Sequence, residues 1–120
     1  MIKVAIIEDD IAIIQMYRMK FESEGFDVVT AENGINGLKL IQKESPDIVL
    51  LDLMMPEMRG DEMLIELRQK EWGKDLKVIV LTNMGETEAL DSMKEANVLD
   101  YIVKADMTPK QVTEKIKAAL

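Results

Sequence analysis

The run Ile48-Val49-Leu50-Leu51-Asp52 places an acid at the end of four uninterrupted apolar residues. An unbroken apolar run, unlike an alternating one, is typical of a strand buried on both faces of a parallel sheet. Three more runs have this character, Val4 to Ile7, Val78 to Leu81 and Tyr101 to Val103, and a weaker strand is predicted from Asp27 to Ala31. The sequence therefore predicts five parallel strands.

Segments with helical spacing follow the strands, and each carries an apolar stripe that can pack on a sheet. The stripes are Ile14, Tyr17 and Phe21; Ile35, Leu38 and Ile41; Met63, Leu64 and Leu67; Leu90 and Met93; and Val112, Ile116 and Ala119. Five repeats of strand then helix predict one α/β domain over residues 1–120. Its expected form is a doubly wound (βα)5 sandwich, with a parallel sheet of order 2-1-3-4-5.

Local signals mark several helix ends. Thr108 is a predicted N-cap, with Pro109 in the first helical position and Gln111 completing a capping box. The pair Trp72-Gly73 is predicted to close the third helix. Methionines more often fill gaps in a core than form a binding site, which is the expectation for Met16, Met19, Met63 and Met93.

The composition excludes several kinds of site. With 23 acidic and 15 basic residues the net charge is -8, which disfavours direct binding of nucleic acid. The absence of histidine and cysteine excludes imidazole and thiol chemistry. No apolar run reaches the length of a membrane span, so we expect a soluble, cytoplasmic protein without a membrane partner. Chemistry would depend on carboxylates, hydroxyls and lysine.

Polar residues follow four of the predicted strands. They are Glu8-Asp9-Asp10, Asp52, Thr82 and Lys104. Because ligands bind beyond the carboxyl ends of parallel strands, we expect these residues to meet at one edge of the sheet. Asp10 is best interpreted as an N-cap. The remaining carboxylates need a cation, and an all-oxygen set favours Mg²⁺ over a many-ligand Ca²⁺ site.

This set of residues resembles the receiver domain of two-component response regulators, a family with a flavodoxin-like fold. The resemblance covers essentially the whole chain and depends on several motifs in order: Glu8-Asp9, Leu50 to Pro56, Gly60, Leu81-Thr82 and Asp100 to Lys104.

The resemblance implies a phosphoryl-accepting switch. Asp52 would take a phosphoryl group from a histidine kinase or a histidine phosphotransfer protein in a reaction that requires Mg²⁺. Asp9, Asp52 and the backbone carbonyl of Met54 would hold the metal, and Glu8 would act through metal-bound water. Such a protein catalyses only its own phosphorylation and dephosphorylation and is not an enzyme in the ordinary sense.

The resemblance also implies how the switch works. Thr82 would hydrogen-bond a phosphoryl oxygen, Lys104 would pair with the phosphoryl group, and Tyr101 would change rotamer. The output would be a downstream protein partner or a fused output domain, or a homodimer through the fourth helix, fifth strand and fifth helix. Where the family usually has proline after the lysine, this chain has Ala105.

Three other functions compete with this interpretation. A phosphohydrolase with an aspartate nucleophile would want a second acid two residues after Asp52, where the chain has Met54. A flavin carrier of the flavodoxin type would need a phosphate-binding loop where the chain has Glu8-Asp9-Asp10. A receiver-like interaction module without phosphorylation would not need the complete set of Asp9, Asp52, Thr82 and Lys104.

Overall fold

Five parallel strands form one sheet in the computed structural model, which describes residues 1–53, 55, 57–82, 97–103 and 107–120, with Thr82 described by its backbone alone. The strands are β1 (Lys3–Ile7), β2 (Asp27–Ala31), β3 (Ile48–Asp52), β4 (Lys77–Thr82) and β5 (Asp100–Val103). Their order is β2-β1-β3-β4-β5, and all four neighbouring pairs are parallel. The predicted fold class and strand order are confirmed.

Helices cover both faces of this sheet. Those in the described residues are α1 (Ile11–Ser23), α2 (Gly34–Glu44), α3 (Gly60–Arg68) and α4 (Pro109–Ala119). The helix predicted around Leu90 and Met93 lies outside the described residues, so α4 here denotes the C-terminal helix. None of the described helices has the length and apolar character needed to cross a bilayer.

The sheet has an apolar layer on each side. Successive residues of a strand point to opposite faces, so Ala5 and Ile7 pack with α2 and α3 while Val4 and Ile6 pack with α1 and α4. β3 is buried along its whole length. This burial on both faces is why its sequence is an unbroken apolar run.

The predicted caps at two helix starts are confirmed. The Asp10 side chain accepts hydrogen bonds from the backbone amides of Ala12 and Ile13, at 2.9 and 3.4 Å. Thr108 and Gln111 form the expected capping box, with proline in the first turn.

Several expectations about burial are wrong. Met16 and Met19 are 43% and 74% exposed. Met19 lies two residues from both Tyr17 and Phe21, about 200° around the helix, and Met16 lies one residue before Tyr17, about 100° around it, so neither falls on the buried stripe of α1. Ile35 is also exposed, at 40%, whereas Met63 is buried as expected.

The third helix also ends earlier than expected. α3 stops at Arg68, four residues before Trp72. Gly73 packs so closely on Leu67 that a Cβ there would overlap the Leu67 side chain and carbonyl oxygen. The chain therefore turns back directly after α3, and the Trp72-Gly73 pair belongs to the connecting loop.

The Arg68 side chain holds this loop together. Its guanidinium donates to the carbonyl oxygens of Gly73 at 2.8 Å and Leu76 at 2.7 Å, with Lys74 at 3.3 Å. It also donates to the carbonyl oxygen of Asn97 at 2.9 Å. Burial lowers the pKa of Arg68, partly offset by the neighbouring Asp75 carboxylate. One side chain thus joins the end of α3 to the segments that lead into β4 and β5.

We expect Arg68→Met to lower the free energy of unfolding by about 2 kcal/mol, because it leaves several carbonyl oxygens without a charged donor. The matched control is Arg59→Met, which removes an arginine whose ion pair with Asp61 lies at the surface, and which should cost less than about 0.5 kcal/mol. Urea unfolding measures both. Equal losses in the two variants would contradict the role assigned to Arg68.

Candidate functional site

Three carboxylates meet at the carboxyl edge of the sheet. Ile7 of β1 is paired with Leu51 of β3, so the next residues, Glu8 and Asp52, lie side by side. Asp9 joins them, and one carboxylate oxygen from each residue lies within 4.8 Å of the others. Glu8 and Asp52 are buried and Asp9 is exposed. The structure thus brings together the three acids that the sequence predicted to converge.

Backbone contacts hold the loop after β1 in place. The Glu8 amide donates to the carbonyl oxygen of Ala31 at 3.0 Å, which extends the pairing of β1 with β2. Glu8 Oε1 accepts from the Asp10 amide at 3.2 Å. Since Asp10 also caps α1, a single short loop both starts the helix and positions Glu8 and Asp9.

The cluster carries a large electrostatic cost. Two unit charges about 4.8 Å apart repel by about 3 kcal/mol at an effective dielectric of 20, and by about 1 kcal/mol in water. A divalent cation among the three oxygens reverses the sign of this interaction. Hard cations prefer oxygen ligands, and Mg²⁺ in particular uses one or two carboxylates while keeping several waters. The donor set of Glu8, Asp9 and Asp52 therefore fits Mg²⁺.

Gly60 allows α3 to begin directly against the acidic strand end. A Cβ at this position would overlap the Asp52 carbonyl oxygen and the backbone of Leu53. The Gly60 amide donates to the Leu53 carbonyl oxygen at 2.9 Å, which closes the loop between β3 and α3. In the sequence, Gly60 is recognisable only as one member of the family motif. Its requirement for glycine comes from close contact with the backbone of Asp52 and Leu53, which no sequence signal reveals.

The structure describes only some of the other predicted site residues. Thr82 ends β4 opposite Val103 of β5, but its side chain lies outside the description. Tyr101 lies on β5, 36% exposed, and its partial burial raises the pKa of its hydroxyl, so the phenol stays neutral at physiological pH. Met54, Lys104 and Ala105 lie outside the described residues, so their roles stay predictions.

Comparison with known proteins decides the family. Residues 4–117 match the response regulator receiver domain. The chain belongs to this family. It is thus a receiver domain of the two-component type. Receiver domains are not a family of classical enzymes.

Two similar proteins support the assignment to this family. This receiver domain is 34% identical to the sporulation initiation phosphotransferase F of Bacillus subtilis over 102 residues, 85% of this chain and 81% of that protein. It is 31% identical to the alkaline phosphatase synthesis transcriptional regulatory protein PhoP of Bacillus subtilis over 120 residues, 98% of this chain and 48% of that protein. The receiver domain therefore spans about half the length of a matching transcriptional regulator.

A solved structure has the same architecture. The chemotaxis response regulator CheY4 of Vibrio cholerae superposes on this receiver domain with a TM-score of 0.90 at 28% sequence identity, covering 100% of this chain and 99% of that one. This receiver domain therefore shares its overall fold with a solved response regulator.

Asp9→Asn should raise the free energy of unfolding in metal-free buffer by about 1 kcal/mol, because it relieves repulsion at the solvent-facing side of the cluster. In Mg²⁺ the parent should be stabilised more than the variant, since the variant has lost one ligand. Urea unfolding with and without Mg²⁺ measures both effects.

The control for this prediction is Asp10→Asn. Asparagine caps helices as well as aspartate does, and Asp10 is outside the three-carboxylate group. The control should keep the full response to Mg²⁺. A marked loss of metal-free stability in Asp9→Asn would mean that Asp9 is structural.

Proposed function

We propose that this receiver domain, residues 1–120, accepts a phosphoryl group on Asp52 in a Mg²⁺-dependent reaction and that the modification changes its binding to a protein partner. The observation that carries the proposal is the buried Asp52 carboxylate at the end of the central strand, with Glu8 and Asp9 oxygens within 4.8 Å. The family match supports it, because phosphoryl acceptance is the chemistry of two-component receivers.

The transfer forms one bond and breaks another. A carboxylate oxygen of Asp52 attacks the phosphorus of a phosphohistidine, and the phosphorus–nitrogen bond breaks with its electron pair returning to the ring nitrogen. The product is an acyl phosphate on Asp52. When water later attacks the phosphorus, the carboxylate is regenerated and inorganic phosphate leaves. Asp52 is thus the nucleophile of the first reaction and the leaving group of the second, in which water is the nucleophile.

The surrounding residues position and neutralise the charged groups. We assign Asp9, Asp52 and the Met54 carbonyl as metal ligands, with Glu8 acting through a water. Bound Mg²⁺ would offset the negative charge on the phosphoryl oxygens. The Thr82 hydroxyl would donate to a phosphoryl oxygen, and the Lys104 ammonium would pair with another. The partly exposed Tyr101 would respond by changing rotamer.

The partners proposed follow from this chemistry. The donor would be a histidine kinase or a histidine phosphotransfer protein in the cytoplasm. The output would be a downstream protein or a fused output domain, or a homodimer through the predicted fourth helix, β5 and α4. On that face Lys115 of α4 forms an ion pair with Asp100 of β5 at 2.6 Å, so these two elements contribute to one surface.

Asp52→Asn should abolish labelling by acetyl phosphate in Mg²⁺, because an amide cannot act as the carboxylate nucleophile. Intact mass spectrometry of the parent should show the gain of one labile phosphoryl group. The matched control is Asp27→Asn, at the start of β2 on the opposite edge of the sheet, and it should be labelled like the parent.

Two results would contradict the proposal. Labelling of Asp52→Asn at the parental level would place the acceptor elsewhere. No labelling of the folded parent by acetyl phosphate or by a phosphorylated phosphotransfer protein would favour a receiver-like interaction module without phosphoryl chemistry.

A further inference from the structure

A second candidate site lies between α2 and the end of α3, and none of its lining residues belongs to the three-carboxylate cluster. It is a cleft of about 260 Å³ lined by Ile35, Leu38, Lys39, Gln42, Met58, Glu66, Lys70 and Trp72. Small-molecule pockets usually measure about 300–1,000 Å³. A smaller, open cleft such as this suits a few side chains of another protein better than a free ligand.

Four of the residues that line the cleft are apolar. Ile35 and Leu38 lie one turn apart on α2, Met58 lies in the loop before α3, and Trp72 follows α3. Trp72 is 38% exposed. Large exposed apolar side chains that share one groove often mark a protein-binding surface, and tryptophan is a frequent anchor there.

The rim of the cleft is basic, although the protein as a whole is acidic. Lys39 and Lys70 stand on opposite sides, against one acid, Glu66. Lys43, one turn beyond Lys39, lines an adjoining cleft of about 410 Å³ that also contains Lys39 and Glu32. Within the described part of the chain these three lysines form no ion pair. Their charges are therefore available to a partner.

Local charge decides which partner fits. The net charge of -8 is spread over the molecule, and at physiological ionic strength charges more than about 8 Å apart are largely screened. A partner segment in the cleft therefore interacts mainly with the charges that line it and the adjoining cleft, three lysines (Lys39, Lys43 and Lys70) against two acids (Glu32 and Glu66). Because the lysines lie on both sides of the apolar floor, acids on both flanks of an apolar stripe would complement them.

We propose that the α2–α3 cleft is a docking site for an acidic amphipathic helix of another protein. The apolar face of that helix would lie on Ile35, Leu38, Met58 and Trp72, and its acids would pair with the lysines of the rim, which is the helix-in-groove mode of recognition. The proposal does not depend on phosphorylation of Asp52, because none of these residues belongs to the acidic edge.

Trp72 provides a direct test, since it is the sole tryptophan of the chain. The probe is a synthetic helical peptide with leucines at positions i, i+3, i+4 and i+7 and glutamates on both flanks. Its binding should shift Trp72 emission to shorter wavelength, and added salt should weaken it. A matched peptide with lysine in place of glutamate should bind at least about tenfold more weakly.

Charge reversal in the protein completes the test. Lys39→Glu combined with Lys70→Glu should weaken the acidic peptide at least about tenfold and strengthen the basic one. The single variant Lys39→Glu should weaken binding, while Lys110→Glu, an exposed lysine on α4, should not. All three positions are at the surface, so each variant should fold, as circular dichroism would confirm.

Three results would overturn the proposal. The first is no change in Trp72 emission with acidic peptide up to about 1 mM. The second is equal binding of the two peptides, or equal effects of Lys39→Glu and Lys110→Glu. The third is self-association of the protein in sedimentation that Lys39→Glu and Lys70→Glu together abolish, since the occupant would then be a second copy of this chain.

Discussion

The close approach of the Glu8 and Asp52 carboxylates is the constraint on which the site depends. It follows from the parallel register of β1 and β3, because both strands end at the same edge of the sheet. Apolar burial on both faces of these strands stabilises the sheet, and the charges at its edge oppose folding. Packing thus offsets the electrostatic repulsion among these carboxylates, and a cation held among them would relieve it.

Helix α3 connects this edge to the opposite end of the sheet. Its first residue, Gly60, touches the backbone of Asp52, and its last, Arg68, donates to the loop before β4 and to Asn97 before β5. Helix α3 therefore links the backbone at Asp52 to the segments that precede β4 and β5.

The loop between β3 and α3 also reaches the neighbouring helix. The Gly34 amide at the start of α2 donates to the Met58 carbonyl oxygen at 3.3 Å, and a Cβ on Gly34 would overlap Met58. Met58 in turn forms part of the α2–α3 cleft. The loop between β3 and α3, which begins at the acidic edge, thus also supplies one wall residue of the α2–α3 cleft.

The sequence by itself determined the strands, their order and the convergence of Glu8, Asp9 and Asp52, because an unbroken apolar run requires burial on both faces and parallel strands end together. It also determined the caps at Asp10 and Thr108, which depend on contacts within four residues. Only the tertiary structure decided that α3 ends at Arg68 and that Trp72 faces a groove. These features depend on contacts between segments distant in the chain, such as Arg68 with Asn97, and local residue patterns contain no information about which distant backbone atoms will lie within hydrogen-bonding distance.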